Sequence, residues 1–147
     1  MAVTRFAEAT WKGSLIDGSG SIDYVSSGAF TRMPVTWASR TEEHNGRTSP
    51  EELLAAAHAA CYSMSFSGKL ARNGTPATRL ETRAVVTFDK TEAGWKVAKS
   101  ELTVRGTVDS IDAGRFAELA DEAKDGCPIS QALKGNVELS VDAELVW

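Results

Sequence analysis

The stretch Ser49-Pro50-Glu51-Glu52-Leu53-Leu54-Ala55-Ala56-Ala57-His58-Ala59-Ala60-Cys61-Tyr62-Ser63-Met64 decides how the rest of the chain is read. It opens as a helix. Ser49 suits the N-cap, Pro50 the first helical position, and Glu52 completes an S-x-x-E capping box. Leu54, Ala57, Cys61 and Met64 then recur at helical spacing, with Leu53, Ala60 and Ser67 on an adjoining stripe. Gly68 and Gly74 are its candidate stops. The alanines favour helix and let another backbone come close. A helix so apolar and small-sided predicts a central position, with the same helix of a second subunit as its cover across an isologous interface.

Upstream of this helix, residues 3–12 alternate as a strand. Asp17-Gly18-Ser19-Gly20 turns the chain, Ser21 to Val25 returns, and Phe30 to Trp37 gives a third strand in which Pro34 marks an edge or a break. Residues 39–48 are polar, contain Asn45-Gly46, and read as a solvated connection delivering the chain to the helix. Downstream, Arg79 to Lys90 and Trp95 to Val108 form a hairpin about the turn at 91–94, with Leu80, Ala84, Val86 and Phe88 on one face of the first strand. Ala98, Leu102, Val104 and Val108 point inward from the second. Ile111, Asp112 and Phe116 fit a hydrophobic staple opening a helix that Gly126 ends. A short second helix follows with Cys127 at its N-cap and Pro128 at its first position, and Val137 to Leu145 alternate as a last strand. The order β-β-β-α-β-β-α-α-β predicts an α+β protein with antiparallel sheet, in one domain over 1–147.

Composition narrows the function classes. With 147 residues, 42% hydrophobic and 24% charged, the chain is globular, and its net charge of −4 without a basic block argues against a nucleic-acid surface. No apolar run has the length of a membrane span or the core of a signal peptide, so a cytoplasmic protein is expected. There, two cysteines are free, catalytic or redox-cycling rather than a permanent cross-link. Two Cys and two His without metal-ligand spacing argue against a metal site, and no cofactor is expected.

Cys61 lies ~18 Å along the helix from Ser49, too far for the dipole of its own helix to ionise it. If it is reactive, a cation must come from elsewhere in the chain; otherwise it is a small buried hydrophobe. Cys127 sits at a helix cap, where free N–H groups favour thiolate, and local sequence makes it the more acidic thiol. Arg40 could lower the Cys61 pKa and hydrogen-bond a peroxide oxygen, and Glu51 could hold the arginine's fork; a solvated arginine and a helix-dipole carboxylate are the plainer alternatives. Glu51 precedes Cys61 by ~15 Å on one helix, so it would serve Cys61 from a partner subunit. His58 could act as a base for Cys61 or be a packed histidine; His44 is a solvated loop residue, and the four tryptophans read as core or rim.

The Ser49–Met64 string, with Gly126-Cys127-Pro128-Ile129-Ser130-Gln131-Ala132-Leu133-Lys134 downstream, closely resembles the OsmC branch of the OsmC/Ohr family, the osmotically inducible and organic hydroperoxide resistance proteins of bacteria. The resemblance spans nearly the whole chain. It implies the OsmC-like fold, antiparallel sheets around a long central helix in an intertwined homodimer with shared active sites. It also implies a thiol-dependent peroxidase, with Cys61 as peroxidatic and Cys127 as resolving cysteine. Glu51 matches the family's acidic residue, and Arg40 its arginine, with Arg47 a second arginine in the same loop. The expected substrate is an organic hydroperoxide or hydrogen peroxide, with Leu54, Met64 and Phe66 as apolar surroundings. The expected reductant is an external dithiol, a lipoylated protein or a small thiol. A redox sensor and an apolar-ligand binding module are the competing readings.

Overall fold

The structure is a computed structural model that describes residues 1–146. The chain forms two compact units that divide after Leu53, inside the first turn and a half of the central helix.

In the first unit, β1 (Ala7–Lys12), β2 (Ser19–Val25) and β3 (Thr31–Val35) make an antiparallel sheet in the order β1-β2-β3. Pro34 lies on the edge strand, opposite Ser21, where a missing N–H disrupts no further neighbour. The expected polar connection begins instead with a short helix, α1 (Trp37–Thr41). Its cause is a T-x-x-S capping box: the Thr36 side chain accepts from the Ser39 N–H, and the Ser39 hydroxyl accepts from the Thr36 N–H, both at 3.0 Å. A turn follows, in which the Arg47 N–H bonds the His44 carbonyl at 3.0 Å. The chain then returns beside β3 through the Thr48 N–H to the Pro34 carbonyl at 2.9 Å. The buried Ser39 hydroxyl reaches the Thr48 carbonyl at 2.9 Å, tying α1 to the residues that start the next helix.

That helix, α2, runs from Pro50 to Arg72, straight through Gly68. Ser49 caps it, accepting from the Glu52 N–H at 3.1 Å. The Glu52 carboxylate does not complete the box; it takes the Thr48 hydroxyl at 2.9 Å. At the far end Gly74 adopts φ +82. The Thr75 N–H reaches the Leu70 carbonyl and the Gly74 N–H the Ala71 carbonyl, a Schellman stop.

The second unit carries β4 (Ala77–Thr91), β5 (Gly94–Val108), α3 (Ala113–Gly126), α4 (Pro128–Leu133) and β6 (Glu138–Val146). β4 and β5 form the expected hairpin, and the sheet order is β4-β5-β6. β6 runs parallel to β5, because α3 and α4 form a crossover that brings the chain back before it re-enters the sheet. Asp112 caps α3, accepting from the Arg115 N–H at 2.8 Å, and Ile111 and Phe116 both join the core as the staple requires.

The core corrects the reading of α2. Its buried stripe is His58, Tyr62, Phe66 and Leu70, while Ala57, Ala60, Met64 and Ser67 are exposed. Large aromatic side chains remove far more apolar area from water than alanines, so they choose the inward face. Phe66 lies against Phe116, ring centroids 5.0 Å apart, and Phe116 in turn covers Gly106 of β5. A Cβ at Gly106 would lie 2.6 Å from the Phe116 Cζ, so the backbone there must stay bare. The Tyr62 hydroxyl donates to the Ala120 carbonyl at 2.9 Å, fixing α3 on α2.

Candidate functional site

The first unit brings Arg40 and Glu51 together. Arg40 stands in the last turn of α1 and Glu51 in the first turn of α2, held near each other by the Ser39–Thr48 contact. Arg40 Nε donates to both Glu51 oxygens at 3.2 and 3.1 Å, and its NH2 donates to Oε1 at 2.7 Å. This fork geometry fixes the plane of the guanidinium. The guanidinium carbon also lies 5.6 Å from the centroid of the Trp37 ring, a cation–π distance. The carboxylate is nearly buried while 29% of the arginine side chain remains accessible. Arg40 borders a cleft of about 280 Å³ walled by Trp11, Leu15, Val35, Trp37 and Pro50. Two tryptophans taken as core or rim thus line an apolar cleft with a cation on its wall. Arg47 is exposed in the connecting turn.

The second unit brings the two thiols together. Both are free, Cys61 partly exposed on α2 and Cys127 fully buried at the junction of α3 and α4. Cys61 flanks the inward stripe of α2, whereas Cys127 joins the core cluster. The Cys127 side chain and the backbone N–H of Ile129 both lie close enough to act on the Cys61 thiol. Burial pushes the Cys61 thiol above its ordinary value; the Ile129 N–H opposes this, and the neighbouring Cys127 side chain adds to it. Among the described residues no cation contributes to the shift. Cys127 itself makes no side-chain cap hydrogen bond. The Ile129 N–H at the start of α4 works to lower the Cys61 pKa, so the cap argument that favoured Cys127 applies to its neighbour.

His58 does not face Cys61 as a base. Its Nδ1 lies 2.7 Å from Ser100 Oγ and its Nε2 2.8 Å from Ser130 Oγ, so both ring nitrogens are engaged. All three side chains are buried, and burial pushes the histidine's pKa down. Neither serine was singled out from sequence. Ser100 was legible as an inward position, since it alternates in register with Ala98 and Leu102 on β5. Of the apolar surroundings expected for a substrate, Phe66 belongs to the core and Met64 is exposed.

Residues 43–142 match the model of the OsmC-like protein family. The chain is 38% identical over 139 residues to peroxiredoxin OsmC of Escherichia coli (strain K12), covering 95% of this chain and 96% of that one. It is 30% identical over 105 residues to organic hydroperoxide resistance protein OhrA of Bacillus subtilis (strain 168), covering 70% and 72%. The fold matches the crystal structure of the organic hydroperoxide resistance protein OhrB of Bacillus subtilis with a TM-score of 0.71 at 24% identity, over 95% of this chain and 98% of that one. By the family match over residues 43–142 and the 38% identity over nearly its full length, the chain belongs to the OsmC-like family.

Proposed function

We propose that the protein is a cysteine-based peroxidase that reduces organic hydroperoxides, and hydrogen peroxide, through Cys61 and Cys127. The observation that carries the reading is the proximity of the two free thiols, one partly exposed and one fully buried. The Escherichia coli relative is called a peroxiredoxin and the Bacillus subtilis relatives organic hydroperoxide resistance proteins, which supports the same class of substrate. Cys61 thiolate attacks the distal peroxide oxygen; an S–O bond forms, the O–O bond breaks, and the leaving alkoxide takes a proton to give the alcohol. Cys127 sulfur then attacks the Cys61 sulfenic sulfur. The S–S bond forms, the S–O bond breaks, and hydroxide leaves with the Cys127 proton as water. An external dithiol returns both sulfurs to thiols and is itself oxidised to a disulfide.

The thiol environment of the second unit favours protonated Cys61, so the reaction needs a cation. Arg40, oriented by Glu51 at an apolar cleft, is suited to lower the Cys61 pKa and to bind a peroxide oxygen beside an organic tail. In this reading Arg40 and Glu51 of one subunit serve Cys61 of the other. The exposed, small-sided face of α2, with Ala57, Ala60 and Met64, is the surface a second copy would cover in an isologous homodimer.

The test is intact mass under non-reducing conditions, before and after one equivalent of cumene hydroperoxide. Wild type loses two hydrogens, Cys127→Ser gains one oxygen on Cys61, and Cys61→Ser does not change. Oxidation persisting in Cys61→Ser would move the first attack to Cys127. An unchanged wild type would end the peroxidase reading and leave the apolar cleft as a ligand site.

A further inference from the structure

Helix α4 carries the proposed resolving cysteine at its cap and the Ile129 N–H that acts on the Cys61 thiol. It is a helix of 6 residues, and its one fully buried side chain is a hydroxyl, Ser130. Ile129 packs against the core as a partly buried side chain, and a directional contact fixes how so short a helix sits. The contact here is Ser130 Oγ to His58 Nε2 at 2.8 Å, one turn before Cys61 on α2. The other ring nitrogen is held by Ser100 of β5 at 2.7 Å, which fixes the imidazole plane. A neutral imidazole has one donor and one acceptor, and two hydroxyls satisfy both. The ring is thereby a rigid bridge from β5 through α2 to α4. It has no nitrogen left to exchange a proton with either thiol.

Disulfide formation is demanding in geometry, with Cβ atoms ~3.8 Å apart and a restricted dihedral angle. We infer that His58, through Nε2 and Ser130, is a positioning residue for the thiol chemistry. It sets α4 against α2, and so places both the Cys127 sulfur and the Ile129 N–H on Cys61. This inference rests on the cysteine cycle proposed above. In the condensation step Cys127 replaces the hydroxyl of the Cys61 sulfenic acid, with water as leaving group, and His58 takes no proton.

The side chains of glutamine and asparagine separate the two arms of the bridge. A glutamine amide reaches the place of Nε2, an asparagine amide the place of Nδ1. The experiment is single-turnover oxidation of the full chain by cumene hydroperoxide, quenched by alkylation and read by intact mass. Sulfenic acid formation scales with peroxide concentration; disulfide formation does not. We expect Ser130→Ala and His58→Asn to slow condensation at least tenfold, with sulfenic acid formation falling less than about threefold as the Ile129 contact loosens. We expect His58→Gln to stay within about threefold of wild type in both steps. Far-UV circular dichroism and a melting curve on each variant confirm folding, and Ser130→Ala is the smallest of the changes. Equal losses in His58→Asn and His58→Gln, or unchanged condensation in folded Ser130→Ala, would overturn the positioning role while leaving the cycle intact. A wild type that forms no sulfenic acid or disulfide would overturn both.

Discussion

Glu51 and His58 lie about two turns apart on α2, and each is a buried polar side chain that holds a neighbouring short helix. Glu51 holds α1 through a charged, bidentate grip on Arg40, with the arginine still reachable from solvent. His58 holds α4 through a neutral hydrogen bond to Ser130, sealed from water on every side. The difference follows from what each medium tolerates. An ion pair near water keeps part of its solvation and leaves a fixed cation available to a ligand. A charge in the apolar core would lose that solvation without a counter-ion, so the core uses an uncharged bridge. The first anchor offers charge to a reaction; the second offers only geometry.

Removing the offered charge gives the largest effect. Arg40→Met should lower kcat/KM for cumene hydroperoxide by about 100-fold or more, a loss typical of a donor aimed at developing charge. Glu51→Gln keeps the shape of the side chain and one acceptor, and should cost roughly tenfold. Coupled dithiol consumption measures both. Co-refolding Arg40→Met with Cys61→Ser chains then asks whether the charge is shared between subunits. With shared sites, half of the dimers in an equal mixture are mixed, and each has one complete site, so about a quarter of wild-type activity returns. If none returns, the proposed donation across the dimer is wrong.

The two units also differ in where stability resides. All the residues of the buried core cluster lie beyond Leu53, whereas β1 is exposed along its whole length. Gly106→Ala drives a Cβ to within 2.6 Å of Phe116 in the middle of that core. It should destabilise the second unit by about 2 kcal/mol, read as a lower urea midpoint. Glu8→Ala on β1 should stay within about 0.5 kcal/mol. Equal effects would contradict the assignment of the core to the second unit.

Sequence reading went furthest where one local rule acts alone. The hairpin at 91–94, the Asp112 cap and the start of α2 follow from alternation, turn chemistry and capping, and each is found where those rules place it. It failed where two rules compete. The inward face of α2 was assigned by counting alanines and leucines, yet Tyr62 and Phe66 carry more apolar surface and turn the helix. Residues 39–48 read as a connection because they are polar and charged, whereas a T-x-x-S box at Thr36 and Ser39 makes the helix α1 there. Of the site, the Arg40–Glu51 ion pair is present, and Cys127 lies close enough to act on Cys61. The His58 bridge could not be found from spacing, because its partners lie 42 and 72 residues away in chain order.

The smallest effect concerns the neutral anchor itself. Burial lowers the His58 pKa, so the unfolded chain holds a proton on this ring at pH values where the folded chain does not. The stabilisation is therefore full above the unfolded value of ~6.5 and is lost as pH falls toward the folded value. In that window the slope should approach, at most, about 1.4 kcal/mol per pH unit. Asp23 is also lowered, by hydrogen bonds from Ser21 and Thr10, and acts in the same direction, but only in the carboxylate range. Urea midpoints at pH 7 and pH 5 isolate the histidine. Wild type should lose stability between them, His58→Gln should lose much less, and His44→Asn, in the exposed loop, should behave as wild type. A wild-type slope that survives in His58→Gln would mean that the core bridge accepts a proton at little cost. The contrast between a charged anchor at the surface and a neutral one inside would then fail, since both sites would tolerate charge.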